Sequence, residues 1–325
     1  MMYFEVVVGF VLLLGGAEFL VRGAVVLAKK LGISSLVIGM TVVAIGTSAP
    51  ELVVSLNAAL EGVSGIAIGN VVGSNIANVL LILGVAGLVS PIPKRPHAHL
   101  HDGSILLAGS FLFALLAWQG EIGVFSGMLL LVFFFGFLGH SYWRGSRRPD
   151  KEALDQIAEV EQLAGETTSL WKALLLLFGG MAGVTLGADI LVEGGSAIAR
   201  TFGVSEEVIG LTLIALGTSL PELAASVVAA YRGHADVALG NVIGSNLFNV
   251  VGIIGVIALV IPLPIGEQIL AFDLWVMLGA TIILIPFLIN GWRFGRLPAA
   301  VFMLAYFSYI ALQGYGVGNI IPLSG

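Results

Sequence analysis

Long apolar runs constrain this chain more than any other feature. Ten segments approach the roughly 20 residues that a helix needs to cross the hydrocarbon core of a bilayer, and only 10% of the 325 residues are charged. The runs lack the alternation of polar and apolar residues that a β-barrel requires, so helices must satisfy the backbone polar groups in lipid. The sequence therefore predicts an all-α membrane protein with ten transmembrane helices, seated in the lipid bilayer.

The second half of the chain repeats the first. A shift of 171 residues places residues 39–93 on residues 210–264 without a gap, and about half of the positions are identical. Each copy holds five apolar runs, and because five is odd, the second copy must enter the membrane in the opposite orientation. Inverted repeats with interrupted helices are typical of secondary transporters, whose site lies near the bilayer midplane. We predict a first five-helix repeat at 1–143, a cytoplasmic linker at 144–169 and an inverted second repeat at 170–325.

The distribution of basic residues predicts the orientation. With ten spans, nearly all of the 14 Lys and Arg residues fall on one side of the membrane. The positive-inside rule assigns that side to the cytoplasm. We therefore expect a multi-pass protein of the cell (plasma or inner) membrane with both termini on the non-cytoplasmic side. The chain contains no cysteine, which excludes disulfides and thiolate ligands.

Two related motifs interrupt the second and seventh spans: GTSAPE at residues 46–51 and GTSLPE at residues 217–222. A proline inside a helix removes one hydrogen bond and frees carbonyl groups of the preceding turn, here near Ala44. Thr47 and Ser48 lie four and three residues before Glu51, so one helical face can direct hydroxyl and carboxylate groups to the same point. The second motif offers the corresponding groups: Ala215, Thr218, Ser219 and Glu222.

A second pair of motifs, GNVVGSNIAN and GNVIGSNLFN, lies in the third and eighth spans. Their glycines are spaced by four residues, at Gly69 and Gly73 and again at Gly240 and Gly244, which allows helices to approach closely. The polar residues that share a face are Ser74 with Asn78 and Ser245 with Asn249. We predict that interrupted helices 2, 3, 7 and 8 surround a midplane ion site.

An all-oxygen site with two carboxylates suits a hard cation such as Ca²⁺, which takes about six to eight oxygen ligands. Zinc or copper would favour imidazole or thiolate, and no histidine lies in the four predicted spans that carry these motifs. Two carboxylates neutralise either one Ca²⁺ or two monovalent ions. This equivalence favours exchange, since either load reduces the cost of a charged site within the membrane.

The paired motifs resemble the two alpha repeats of the cation/calcium exchanger superfamily, and the prokaryotic sodium/calcium exchanger branch is the most similar. The resemblance implies Glu51 and Glu222 as the central metal ligands. It further implies hydroxyl ligands from Thr47, Ser48, Ser74, Thr218, Ser219 and Ser245, carbonyl ligands from Ala44 and Ala215, and amide contacts from Asn78 and Asn249. Some members of the superfamily, including potassium-dependent exchangers, carry an aspartate at the position of Asn249, so potassium co-transport is not expected.

The predicted function is secondary active antiport, in which Ca²⁺ leaves the cytoplasm and Na⁺ enters by alternating access. A proton-coupled calcium or cation exchanger is the alternative, followed by a passive cation channel. We do not expect an enzyme, because the spans contain neither a nucleophile–base pair nor a metal-hydrolase motif. We expect no cofactor beyond the transported ions and no nucleic-acid partner, and we expect a monomer.

Several polar residues receive structural interpretations. Asn70 and Asn241 are assigned to helix packing or capping rather than to ion contact. Glu18 is four residues before Arg22, which favours a local ion pair, whereas its counterpart Asp189 has no such partner and could line an access path. The histidines of HAHLH (His97, His99 and His101) are predicted in a solvated loop, and the linker acids on a solvated surface helix over 153–164.

Overall fold

The computed structural model describes residues 2–92, 100–147, 169–203, 209, 215–289 and 292–319, and most of these are helical. The helices of the first half are α1 (Met2–Leu31), α2 (Ser35–Ile38), α3 (Ala44–Thr47), α4 (Ala49–Leu60), α5 (Ser64–Ala77), α6 (Leu83–Val89), α7 (Leu100–Ala117) and α8 (Val124–Arg147). Those of the second half are α9 (Leu170–Thr201), α10 (Ala215–Gly217), α11 (Leu220–Tyr231), α12 (Ala235–Leu247), α13 (Ile254–Val260), α14 (Leu274–Ile289) and α15 (Arg296–Tyr315).

Wider π-helical turns join several of these helices. They are Gly39–Val43 between α2 and α3, Asn78–Ile82 between α5 and α6, Phe248–Ile253 between α12 and α13, and Ile269–Asp273 before α14. Two short strands, β1 (Glu121–Ile122) and β2 (Leu263–Pro264), pair antiparallel. A 3₁₀ turn, Val317–Asn319, follows α15. Single π-turns inside helices are frequent at functional sites, and two of those seen here begin at or beside the predicted ligands Asn78 and Asn249.

Within the described ranges, seven helices are long and apolar enough to cross a membrane, or eight if the bent pair Ser35–Thr47 and Ala49–Leu60 is one span. Two shorter apolar helices, His101–Ala117 and Leu220–Tyr231, lie in the other two predicted spans. The chain is thus a mostly helical membrane protein, as predicted. The predicted number of ten crossings stays a prediction.

Each GTSxPE motif coincides with the start of a new helix. Ser48 precedes α4 and Ser219 precedes α11, with similar backbone angles (φ −88°, ψ 10° and φ −88°, ψ 1°). Pro50 and Pro221 then occupy the first turn, where the missing N–H has no intrahelical acceptor to lose. The two prolines therefore lie at positions that favour the start of a helix.

Two predictions fall partly or wholly outside the described residues. The surface helix over 153–164 and the linker acids cannot be compared with the structure, nor can His97 and His99. His101 lies in the first turn of α7, so the loop interpretation is wrong for this histidine. The helix begins at Leu100, so its first turn includes polar residues that precede the apolar run.

Residue contacts divide the chain into two compact units. Unit 1 comprises Met1–Thr47 and Leu138–Gly244, and unit 2 comprises Ser48–Phe137 and Ser245–Gly325. Each unit therefore takes segments from both sequence repeats. The predicted boundaries at 143 and 170 describe the duplication of the sequence and not these compact units.

In unit 1, α1 and α9 pack along a seam of glycines. A Cβ atom on Gly9 would lie 2.6 Å from the Leu191 nitrogen, and one on Gly16 would lie 2.6 Å from the Val184 nitrogen. One on Gly23 would lie 2.5 Å from the Leu177 nitrogen. As the residue number of the glycine on α1 increases, the residue number of its contact on α9 decreases. The two helices are therefore antiparallel.

The seam contains the same contacts twice. Gly180, Gly187 and Gly194 on α9 face the backbone nitrogens of Leu20, Leu13 and Val6 on α1. Each of these contacts is the repeat equivalent of one described above: subtracting 171 from the glycine and adding 171 to its partner turns Gly180–Leu20 into Gly9–Leu191, and the other two pairs follow in the same way. The close approach of the two backbones is therefore built from equivalent glycines on both helices.

Glycines also bring α12 close to the segment around α2. A Cβ on Gly240 would lie 2.5 Å from the Leu36 carbonyl oxygen, and one on Gly244 would collide with the Met40 carbonyl. The predicted close approach at Gly240 and Gly244 is confirmed. The counterparts of Leu36 and Met40, at 207 and 211, lie outside the described residues, so the same prediction for Gly69 and Gly73 stays open.

Substitution of Gly16 by alanine is expected to destabilise the protein, because the new methyl group would meet backbone atoms that cannot rotate away. Overpacking of this kind costs about 1–3 kcal/mol, more than the gain of up to ~1 kcal/mol from alanine in a helix. Thermal unfolding in detergent measures the effect. Gly15→Ala is the matched control, since nothing lies within 4 Å of its added Cβ. Equal melting temperatures for the two variants would contradict the seam.

Candidate ion-binding site

The two central glutamates occupy equivalent local environments. Glu51 lies in the first turn of α4 and Glu222 in the first turn of α11. Each side chain is only 1% exposed. A helix N-terminus carries partial positive charge and stabilises a nearby carboxylate, so each helix start lowers the cost of burying the acid that follows it.

In unit 2, Asn70 on α5 holds the helix that carries Glu51. Its Nδ2 atom donates to the Ser55 hydroxyl at 3.0 Å and lies 3.5 Å from the Glu51 carbonyl oxygen. These contacts link α5 to the first two turns of α4.

In unit 1, Asn241 on α12 makes the same contacts. Its Nδ2 atom donates to the Ser226 hydroxyl at 3.1 Å and to the Glu222 carbonyl at 3.4 Å. Its Oδ1 atom also lies 3.2 Å from the Thr47 hydroxyl. Asn70 and Asn241 therefore contact neighbouring helices, as the packing interpretation predicted, and the helices they hold are those that carry the glutamates.

Thr47 ends α3 in unit 1 and is fully buried. Its hydroxyl oxygen lies 3.2 Å from Asn241 Oδ1 and 3.4 Å from the Ala44 carbonyl, and its single proton can serve either acceptor. Asn241 thus links two predicted positions, Thr47 and Glu222, and the Thr47 hydroxyl in turn lies near the carbonyl of a third, Ala44.

The remaining predicted residues of unit 1 flank the start of α11. Ser219 is buried, Thr218 is partly exposed, and Ala215 begins the short helix α10. Ser48 belongs to unit 2 and is buried directly before α4. Each hydroxyl residue therefore lies next to a glutamate within one turn of the chain.

The GSNxxN segments meet within unit 2. Asn78 Nδ2 donates to Asn246 Oδ1 at 3.0 Å, and Asn246 Nδ2 donates to the Asn75 carbonyl at 3.3 Å. Sequence reasoning singled out Asn78 but missed Asn75 and Asn246. Their exact recurrence in the two copies of the motif was the available signal.

Several buried polar atoms of this segment have no hydrogen-bond partner in the described part of the chain. They are Asn78 Oδ1, Ser245 Oγ, and both Oδ1 and Nδ2 of Asn249. Buried polar atoms are satisfied in nearly all native proteins, and each exception calls for an explanation such as a bound ion or water. Three of these four atoms are oxygens, the ligand type that Na⁺ and Ca²⁺ accept.

Glu18 forms a charged cluster outside the predicted site. Arg22 Nε donates to Glu18 Oε1 at 2.6 Å, which confirms the predicted ion pair, and Arg232 Nε donates to Glu18 Oε2 at 2.8 Å. The second arginine follows the end of α11. Glu18 therefore ties α1 to the helix that carries Glu222. Asp189, its counterpart in the repeat, lies exposed on α9.

A buried aspartate in unit 2 was missed by sequence reasoning. Asp273 accepts hydrogen bonds from the Tyr309 hydroxyl at 3.0 Å, from Gln268 Nε2 at 3.2 Å and from Gln313 Nε2. These neutral donors tie the start of α14 to α15. The repeat offered a signal, because Asp102 lies 171 residues earlier and is also buried.

His234 is a titratable residue in the connection between α11 and α12, outside the spans. Burial lowers the pKa of His234 below its ordinary value of 6.5, and Arg232 adds to this effect, while Asp236 and Glu18 oppose it. The neutral imidazole is therefore favoured in the folded protein.

Acidification is expected to destabilise the protein through His234. The unfolded chain binds this proton more tightly than the folded chain, so the free energy of unfolding falls as the pH drops below about 6.5. Melting temperatures between pH 7.5 and 5 measure the effect, and the difference between the wild type and His234→Gln isolates it from the carboxylates. The same pH dependence in both proteins would contradict the assignment.

Comparison with known proteins shows which sequences and folds this chain resembles. A family model described as "Sodium/calcium exchanger protein" matches residues 2–143 and 172–315. The sodium/calcium exchanger MaX1 of Methanosarcina acetivorans is 36% identical over 341 residues, covering 94% of this chain and 97% of that protein. The inner membrane protein YrbG of Escherichia coli is 36% identical over 292 residues, covering 88% and 87%.

A solved structure has a similar fold over nearly the whole chain. The sodium–calcium exchanger NCX_Mj, soaked with 2.5 mM Na⁺ and 0.1 mM Ca²⁺, superposes with a TM-score of 0.81 at 32% identity, covering 95% of this chain and 97% of that one. The family model and the solved structure each match most of the chain, and both indicate the same family. This chain belongs to the sodium/calcium exchanger family.

Proposed function

We propose that this protein is a secondary antiporter that exports Ca²⁺ from the cytoplasm against an inward flow of Na⁺. The observation that carries the proposal is the duplicated glutamate, which is buried in the first turn of its helix with its backbone held by an asparagine of a neighbouring helix. Membership of the family and similarity to MaX1 and NCX_Mj, both described as sodium/calcium exchangers, support it.

In this proposal Glu51 and Glu222 provide the charge that binds the transported ion. The additional ligands are the hydroxyls of Thr47, Ser48, Ser74, Thr218, Ser219 and Ser245, the carbonyls of Ala44 and Ala215, and the amides of Asn78 and Asn249. The buried atoms without partners at Ser245, Asn78 and Asn249 support the assignment of these three residues as ligands. Two carboxylates balance one Ca²⁺ or two Na⁺, so the site keeps a similar charge in both directions of the cycle.

We also propose that the ten spans form two inverted five-helix repeats, which supply the two access states of an exchanger. The doubled contacts of the α1–α9 seam support this arrangement, because antiparallel helices with equivalent contacts are the result expected of an inverted duplication. The positive-inside rule supports a protein of the plasma or inner membrane with both termini outside the cytoplasm.

The variants Glu51→Gln and Glu222→Gln are expected to abolish sodium-driven calcium flux, because each removes one of the two negative charges that the proposal assigns to the ion. Calcium uptake into proteoliposomes loaded with Na⁺ measures the flux. The matched control is Glu61→Gln, which neutralises the exposed acid at the end of the same helix α4 and should retain wild-type flux. Retained flux in both site variants would refute the ligand assignment.

The coupling ion is tested on the wild type with Na⁺, K⁺ or H⁺ as the only opposing gradient. Uphill calcium accumulation with Na⁺ alone is the expected result. Accumulation driven by a pH gradient without Na⁺ would replace the proposal with proton coupling. Equilibration without uphill accumulation would indicate a channel.

Removal of the Asn241 side chain is expected to weaken calcium binding more than it slows turnover. Asn241→Ala releases the Glu222 carbonyl and the Thr47 hydroxyl, and each lost hydrogen bond is worth about 1 kcal/mol, or roughly fivefold in affinity. The apparent KM for Ca²⁺ should rise by about that factor, and Asn70→Ala should act similarly. Thr281→Val, which removes a buried hydroxyl bonded to its own helix, should leave KM unchanged. A change in Vmax alone would contradict the role.

A further inference from the structure

Four asparagines of unit 2 form two pairs of equivalent positions in the sequence repeat, but the members of each pair differ in their hydrogen bonds. Asn75 corresponds to Asn246 and Asn78 to Asn249, each pair 171 residues apart. In the structure, Asn246 reaches across to the Asn75 carbonyl. Asn75 instead turns back to the Val71 carbonyl of its own helix at 2.8 Å. The two copies of the motif thus occupy two different states.

The orientation of these amides follows from the backbone. A carbonyl oxygen only accepts hydrogen bonds, so Asn246 must present Nδ2 to the Asn75 carbonyl and Oδ1 to Asn78. Asn78 must then donate through its own Nδ2, at 3.0 Å. This leaves Asn78 Oδ1 as the atom without a partner.

Asn249, the counterpart of Asn78, makes no such bond. Both atoms of its buried amide have no hydrogen-bond partner among the described residues, and the same holds for the hydroxyl of nearby Ser245. The acceptor that corresponds to Asn246 Oδ1 would be Asn75 Oδ1. Asn75 is turned back along α5, so its side chain does not reach Asn249.

Exchanging the roles of the two repeats gives a second arrangement with the same number of hydrogen bonds. Asn75 would reach across to the Asn246 carbonyl, and Asn246 would turn back to the Val242 carbonyl four residues earlier. Asn249 would donate to Asn75, and Asn78 would be released. A side chain cannot reach across and turn back at once, so the two arrangements exclude each other. Equal bond counts make them close in free energy, as a two-state element requires.

We propose that Asn75 and Asn246 are positioning residues that exchange these two roles as the protein passes between its two access states. In each state one asparagine holds Asn78 or Asn249 by a hydrogen bond and leaves the other amide for the transported ion. The inference rests on the proposed function, because it requires two access states related by the inverted repeat.

The test is a pair of chemically identical substitutions with opposite expected effects. Asn246→Ala removes two hydrogen bonds of the arrangement seen here and should shift the equilibrium towards the other arrangement. Asn75→Ala removes one hydrogen bond, within its own helix, from the arrangement seen here, but two hydrogen bonds from the other arrangement. It should therefore shift the equilibrium towards the arrangement seen here. The ratio of the two states should change by at least about fivefold in each variant, and the double variant should return towards the wild type.

The measurement uses the absence of native cysteines. Spin labels at Phe4→Cys on α1 and Val260→Cys on α13, both exposed positions, report the distance between units 1 and 2 by double electron–electron resonance. The distance population raised by Asn246→Ala should be the one lowered by Asn75→Ala. Thr281→Val, which removes a hydroxyl bonded back to Met277, is the matched control and should shift neither population.

Shifts in the same direction, or no shift in either folded variant, would overturn the proposal. If an alanine variant does not fold, serine at the same position keeps a polar group that is too short to cross, and the same opposite shifts are expected. The readout needs no ion gradient, so it is independent of the coupling ion. Flux driven by Na⁺ with no opposite shifts would refute the exchange of roles alone, whereas opposite shifts without sodium-driven flux would refute only the coupling.

Discussion

A carboxylate buried inside a membrane protein is the constraint on which the rest of this structure depends. Glu51 and Glu222 are almost fully buried, and an uncompensated charge there would cost several kcal/mol (about 3 kcal/mol even on insertion scales). The chain lowers this cost locally, because each acid follows a break that creates a new helix N-terminus. The partial positive charge of that terminus contributes up to ~2 kcal/mol in buried settings, and the transported cation would supply the remaining compensation.

The break therefore has two consequences that belong together. It ends α3 at Thr47, and it begins α4 so that Glu51 lies in the first turn of the new helix. Asn70 and Asn241 then fix the new helices by their contacts to Ser55 and Ser226. Without such contacts, a helix that starts within the membrane would be free to tilt, and the position of its glutamate would vary.

The sequence predicts the features that local chemistry controls. Apolar runs and prolines were enough to predict where helices such as Ser64–Val89 lie and that the second and seventh spans are interrupted at the GTSxPE motifs. It did not predict the hydrogen bonds of Asp273, since two of its three partners lie 36 and 40 residues away on another helix. Nor could it predict that Asn75 and Asn246 differ, because identical motifs carry no information about which copy adopts which state. The composition of the compact units was equally inaccessible, since it depends on contacts between distant segments.

The glycine seam of α1 and α9 has a consequence for how such a fold can arise. Each of the six glycine contacts described across it has a twin in which the two helices exchange places, which is the property of an isologous interface between two identical subunits. A single copy of the sequence repeat would present a self-complementary surface of this kind to an antiparallel second copy. Duplication and fusion of one gene would then preserve the interface without any new contact, and a substitution at one glycine would disturb one of two formerly identical positions.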